Sequence, residues 1–368
     1  MNKNFPVYFI IGTRAQFIKV APIMRMMLDR KIKYKLIYTA QHRENITEIL
    51  NLYELPTPDL TLYDKQEANT RNSFLVWFFT ILYKSLFHAK KILDEKGIVL
   101  THGDTFTTWL AALMGKRAHC IVGHIESGCR SFNIFSPFPE EISRLITFRL
   151  SDIYFCADEW AINNLKKFEG LKVNIGANTI IDGIRFVIDK HKKEIFSFEK
   201  DPFVLVSIHR FENIFTKRII ETIVPLLFKI SKKYILVFTL HPTTRERLIS
   251  LNLYDELKSN QSIILHERFE FHDWVRLCSK AEFVISDGGS NQEELAYLGT
   301  PTILFRNETE RKEGLNKNVV LSKFDEKTIN YFINNYKEFK ITPQNLKITP
   351  SEKIIDTINK IRNGSFLV

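Results

Sequence analysis

Short apolar runs alternate with longer amphipathic ones along most of the chain. The first apolar run, residues 7–11, leads through the turn Gly12-Thr13-Arg14 into residues 15–29, where Phe17, Ile18, Ala21 and the methionines fall on one face and predict a helix. Residues 36–38 predict a second strand ending at Thr39-Ala40-Gln41-His42, and residues 56–71, mostly polar with two prolines near the start, read as a loop. Residues 98–100 read as a buried strand, 101–105 as the turn after it and 107–114 as a helix. The pattern then repeats, with a strand at 120–122 and a matching turn at 124–128. Pro137 and Pro139 forbid regular helix, so Glu140 and Glu141 open the next helix, which runs through Arg144 to Leu150. A strand at 153–156 and a helix at 159–167 follow. Such alternation predicts a parallel sheet with helices on both faces.

The texture changes after this series. Residues 174–178 carry turn formers and 182–200 are charged, which marks a junction. Apolar runs at 203–208, 234–240, 263–265, 283–285 and 302–305 then predict a second alternating series. The expected fold is therefore α/β, two doubly wound Rossmann-like domains in series, at 1–172 and 173–349. The last amphipathic stretch, residues 351–362 within a tail of 350–368, is expected to pack back on the first domain. A chain of 368 residues accommodates two domains, each with its own core.

Charge narrows the partners. With 52 Lys+Arg against 42 Asp+Glu the net charge is +10 and the pI about 9.2, which favours an anionic partner. The basic residues are scattered and no nucleic-acid motif is present, which argues against nucleic acid. Cys120, Cys129, Cys156 and Cys278 form no CxxC pair and read as reduced thiols of a cytoplasmic protein. The N-terminal apolar run is short and lacks a small-residue cleavage site, so it reads as a strand and not a signal. Residues 74–87 are dense in aromatics but shorter than the roughly 20 residues of a spanning helix, and Lys84 interrupts them. They predict a buried or interface helix, the best candidate for a homodimer surface, and the basic His88-Ala89-Lys90-Lys91 beyond them leaves peripheral membrane contact as an alternative.

Candidate chemistry sits at strand ends. Asp104, Glu126 and Glu140 follow apolar runs or lie in turn-like sequence, and open α/β sheets bind ligands beyond the carboxyl ends of their strands. The competing reading for Asp104 is a helix N-cap. Ser286-Asp287-Gly288-Gly289-Ser290-Asn291, between a strand and a helix expected near Gln292, presents backbone N–H groups suited to phosphate, or else a tight turn. Glu293 and Glu294 in the first turn match the helix dipole, and a carboxylate there can also hold ribose hydroxyls. Arg14 and Lys19 in the first half, with Arg306, Arg311 and Lys312 in the second, could clamp a diphosphate, as could His209 beside Arg210. No HExxH, Cys/His metal spacing, Walker loop or GxGxxG is present, so the sequence calls for neither a metal nor a nicotinamide cofactor.

Longer motifs narrow the class. GTRAQFIKVAP at 12–22, AQHRE at 40–44, HGDT at 102–105, GHIESGCRS at 123–131, SPFPEEISR at 136–144, IHRFEN at 208–213, DGGSNQEELAYLG at 287–299 and NETERKEG at 307–314 resemble the non-hydrolysing UDP-N-acetylglucosamine 2-epimerases over nearly the whole length. The resemblance implies a GT-B-like fold with a UDP-sugar in the cleft between its domains, the C-terminal one binding UDP. It implies Asp104, Glu126 and Glu140 as catalytic carboxylates with His209 beside them. Arg14, Lys19, Arg144, Trp274, Gly288, Gly289, Ser290, Glu294 and Arg311 would bind substrate, Trp274 near uracil. The chemistry implied is removal of the C2 proton with expulsion of UDP, then re-addition after protonation from the other face, in the service of a surface polysaccharide. Gln41, His42, Arg210 and His241 resemble a second, regulatory UDP-sugar site. The chain departs from the family at Ala15-Gln16, where Pro-Glu is usual, and in its glycine loop, where DSGGIQEE is usual. Alternatives are a hydrolysing epimerase that releases N-acetylmannosamine, a GT-B glycosyltransferase acting in capsule or O-antigen assembly, and a non-catalytic sensor.

Overall fold

The computed structural model describes residues 5–41, 46–64, 71–134, 138–190, 195–309, 311–343, 347 and 349–364. The chain forms two compact units, Met1–Gly183 with Leu346–Val368, and Ile184–Asn345. The division falls inside the helix Ile180–Lys190, later than the turn-rich residues 174–178 suggest.

The first unit is built on seven strands, β1 (Val7–Ile11), β2 (Lys35–Tyr38), β3 (Leu60–Thr61), β4 (Ile98–His102), β5 (Ile121–Ile125), β6 (Ile153–Cys156) and β7 (Leu171–Asn174), in the order β3-β2-β1-β4-β5-β6-β7. All pair in parallel. Residues of β1 and β4 are buried throughout, as expected of strands covered on both faces. The strand order reverses between β1 and β4, which marks the topological switch point. Gly12 turns the chain there, where a Cβ would lie 2.1 Å from Thr107 Oγ1 and 2.3 Å from Thr39 Oγ1, so only glycine fits without a shift. The helix Arg14–Asp29 follows, opened by Thr13, whose hydroxyl accepts the Gln16 N–H. The C-terminal helix Pro350–Arg362 belongs to this unit: Ile354, Ile355, Ile358 and Ile361 are buried, Arg30 pairs with Asp356 at 2.9 Å and with Glu352, and the Ser351 N–H donates to Asp182 at 2.8 Å.

The second unit has six strands, β8 (Phe203–Ser207), β9 (Ile235–Leu240), β10 (Ile263–Glu267), β11 (Val284–Ser286), β12 (Thr302–Leu304) and β13 (Val319–Leu321), in the order β10-β9-β8-β11-β12-β13. These too are parallel, with the switch between β8 and β11. Phe238, Phe283, Phe305 and Phe332 fill its core.

Several boundaries differ from the sequence reading. β4 and β5 run on to His102 and Ile125, so His102, His124 and Ile125 are strand residues rather than turn residues. The helix after the glycine loop starts at Gly289, ahead of Gln292. The helix Glu159–Asn164 is shorter than residues 159–167. The aromatic helix is Arg71–Phe87; it buries Trp77 and Ile81, and its indole donates to Thr39 O at 2.8 Å, while Leu75, Val76, Phe79, Tyr83 and Phe87 are exposed. Among the described residues no helix is long and apolar enough to cross a membrane.

Candidate active site

In the first unit the carboxyl ends of β1, β4 and β5 hold the charged residues. Lys19, one turn into the first helix, is buried and places Nζ 2.6 Å from Glu126 Oε2. Glu126 lies just past β5 with φ of +64°, a left-handed conformation that costs a non-glycine residue about 1–3 kcal/mol. The surrounding contacts hold that backbone and aim the carboxylate. His102, the last residue of β4, puts Nε2 3.1 Å from the same oxygen, although neither ring nitrogen makes an aligned hydrogen bond among the described residues. Burial lowers the His102 pKa, with Glu126 pulling the other way, so the ring is neutral at pH 7.

His124, within β5, fixes the next layer. Its Nε2 donates to Gly103 O at 2.7 Å and its Nδ1 accepts the Ser127 hydroxyl at 2.9 Å, which selects one neutral tautomer. Burial pushes its pKa down to about 4, in keeping with that tautomer. The charges of Asp104 and Glu126 both act on His102 and His124, so these four groups form one electrostatic cluster.

Asp104 Oδ2 accepts from Arg144 Nη2 at 2.6 Å and Nε at 2.9 Å. Arg144 lies on the helix Glu140–Leu150, and its Nη1 donates to Glu141 Oε2 at 3.1 Å. Glu141 is fully buried and also accepts from Arg130 and from the Ser131 N–H. Glu140 is the first residue of that helix, where the dipole favours its charge. Arg14 turns to Glu48, 2.6 Å away. Gln41 accepts from the N–H and hydroxyl of Thr107, and His42 lies outside the described residues.

The second unit carries the remaining predicted residues. Asp287, fully buried after β11, accepts from the N–H groups of His209 (3.1 Å) and Arg210 (2.9 Å) and from Asn213 Nδ2 (2.8 Å). It also lies 3.2 Å from His209 Nδ1, so it orients that ring. Burial lowers the His209 pKa against the pull of Asp287. The His241 ring stands 5.9 Å from that of His209. Gly288 caps the helix Gly289–Leu298, with Ser290 half-buried in its first turn. Glu294, on the same helix, accepts the Trp274 indole N–H at 2.7 Å, and Glu293 pairs with Arg311 at 2.6 Å. Gln292 fastens the following loop by donating to Arg311 O and Glu313 O and accepting from Thr309.

The structure thus brings Lys19 to Glu126, Arg144 to Asp104, Trp274 to Glu294 and Arg311 to Glu293. Sequence reasoning did not single out Gln16, His102 or Glu141 as site residues, and it read Asp287 only as part of the glycine loop. The spacing of Thr13 and Gln16 as cap and third helical residue is a signal for the first. Carboxylates held beside fixed cations and neutral imidazoles can take and give protons in a water-poor setting.

The chain belongs to the UDP-N-acetylglucosamine 2-epimerase family, whose model matches residues 25–351. It is 33% identical to the UDP-N-acetylglucosamine 2-epimerase of Neisseria meningitidis over 84% of each chain, and 32% identical to that of Methanocaldococcus jannaschii over 83% of this chain and 84% of the relative. The Neisseria enzyme's structure bound to UDP-GlcNAc superposes with a TM-score of 0.83, 29% identity and coverage of 96% of this chain and 100% of the other. The Methanocaldococcus enzyme's structure with UDP-GlcNAc and UDP gives 0.81, 29%, 96% and 99%.

Proposed function

We propose that this protein interconverts UDP-N-acetylglucosamine and UDP-N-acetylmannosamine. The observation that carries the reading is the Lys19–Glu126–His102 cluster beside the Asp104–Arg144 pair, in a chain of this family. The C2 proton is barely acidic, so a carboxylate must take it as the C1–O bond to UDP breaks and a C1=C2 double bond forms. A second group then protonates the opposite face of C2 while UDP adds back to C1. Asp104, Glu126 and Glu140 surround the sugar in this reading, and Lys19 and Arg144 hold two of them in place. UDP falls to the second unit: the first turn of the helix Gly289–Leu298 and Arg311 for the diphosphate, Glu294 for ribose, Trp274 near uracil, and His209 toward the departing group. In this reading the enzyme is a cytoplasmic homodimer that feeds a surface polysaccharide, and the exposed apolar face of the helix Arg71–Phe87 supports the dimer.

The test is proton NMR with UDP-N-acetylglucosamine in deuterated water and no acceptor present. Deuterium enters C2 as the manno epimer accumulates, and Glu126→Gln or Asp104→Asn lowers that rate by about 10²- to 10⁴-fold. If the sugar binds and C2 stays protonated with no free sugar released, the epimerase reading is wrong and an acceptor-dependent transferase takes its place.

A further inference from the structure

The turns on either side of the first unit's switch point are tied by one buried amide. Gln16 Oε1 accepts the N–H groups of Gly12 (2.9 Å) and Thr13 (3.2 Å), at the end of β1. Its Nε2 reaches His102 O at 2.6 Å, Thr105 Oγ1 at 3.1 Å and Thr108 Oγ1 at 3.2 Å, at the end of β4. Only an oxygen can accept from two backbone N–H groups and only an N–H can donate to a backbone carbonyl, so the network itself fixes which end of the amide is which. Lys19 rides on the first of these turns and its helix; His102 and Asp104 ride on the second. We propose that Gln16 is a positioning residue for the epimerisation, the tie that sets the reach of Lys19 and of His102 to Glu126 by locking the β1 and β4 turns together.

An amide makes this tie without a proton, whereas the glutamate usual in the family at this position needs one on the oxygen that faces His102. A carboxylate in its place satisfies Gly12 and Thr13 but sets its other oxygen against His102 O. The threonine hydroxyls can turn to donate; the carbonyl cannot. The charged groups around the position do not relieve the conflict: Arg14 and Lys19 on its own helix pair with Glu48 and Glu126, Asp104 pairs with Arg144, and His102 is neutral at pH 7. The two N–H donors and the helix N-terminus favour the charged form of such a carboxyl, and the His102 carbonyl favours the protonated one.

Two variants test the tie. Gln16→Glu brings back the residue usual in the family and keeps the shape of the tie. Gln16→Met, which removes every one of these hydrogen bonds, is expected to lower the melting temperature and to lower kcat by about tenfold or more with KM little changed, since misplacing catalytic groups by a fraction of an ångström is costly. Gln16→Glu is expected to keep kcat within about threefold of wild type. A Gln16→Met kcat within about threefold of wild type, or a Gln16→Glu kcat as low as that of Gln16→Met, overturns the proposal. The inference rests on the epimerase reading: a wild type that exchanges no deuterium at C2 defeats that reading, while the melting temperatures still decide whether Gln16 ties the turns.

Discussion

Glu141 shows how a residue outside the proposed chemistry can hold one assigned to it. Burial alone would raise its pKa, but the Ser131 N–H, Arg130 and Arg144 lower it by more, so the carboxylate is held below its ordinary value. A depressed folded-state pKa contributes stability above the unfolded value of about 4.3, lost as pH falls through the folded one. Glu141→Gln is therefore expected to cost about 2 kcal/mol at pH 7, and less at pH 4, in urea unfolding; an equal cost at both pH values would place the stabilisation elsewhere. On the proposed function C2 exchange is expected to fall as well, because Arg144 loses one of its anchors. At this scale the sequence exposes the residues proposed to act and hides those that hold them. Asp104 and Glu126 are legible as candidates because they follow β4 and β5, at the strand ends where ligands bind in open sheets, and Glu140 because it opens a helix after two prolines. Gln16, Glu141 and Asp287 work through hydrogen bonds to distant segments, as when Gln16 reaches His102, 86 residues further on, and no local pattern records such a partner.

Among elements, the two switch points are built alike. In the first unit Gln16 binds the turn after β1 to the turn after β4; in the second Asp287 binds the turn after β11 to the turn after β8. Both side chains serve backbone N–H groups that would otherwise be left without partners beyond the carboxyl ends of the strands. The buried strands were legible because they carry apolar residues on both faces. β3, β7 and β13 were not, and all three are sheet edges: Leu60–Thr61 is exposed, Leu171–Asn174 only half-buried, and an edge needs less hydrophobic sequence to hold its place. The helix Arg71–Phe87 was legible as apolar, and the structure shows which face stays uncovered in a single chain. If that face makes the proposed homodimer, Phe79→Glu converts a dimer to a monomer in sedimentation equilibrium with the helix content unchanged; a dimer that survives the substitution uses another surface.

For the whole molecule, the proposed function implies a division of labour that binding and turnover can separate. The carboxylates and Lys19 belong to the first unit, while Trp274, Glu294, Arg311 and His209 belong to the second. If the second unit holds UDP as proposed, free UDP binds to Glu126→Gln nearly as tightly as to wild type, although C2 exchange falls by about 10²- to 10⁴-fold, because in that reading the side chain addresses the sugar and not the nucleotide. Glu294→Gln does the opposite. It replaces a charged acceptor by a neutral one at the Trp274 indole and at the proposed ribose contact, and a lost hydrogen bond to a charged group of about 1.5–3 kcal/mol weakens UDP by roughly tenfold or more in isothermal titration. The net charge of +10 adds a screening term common to all variants, so the titrations are compared at one ionic strength. Were Glu126→Gln to weaken UDP as much as Glu294→Gln does, the nucleotide would be held by the carboxylate cluster, and the assignment of UDP to the second unit would be wrong.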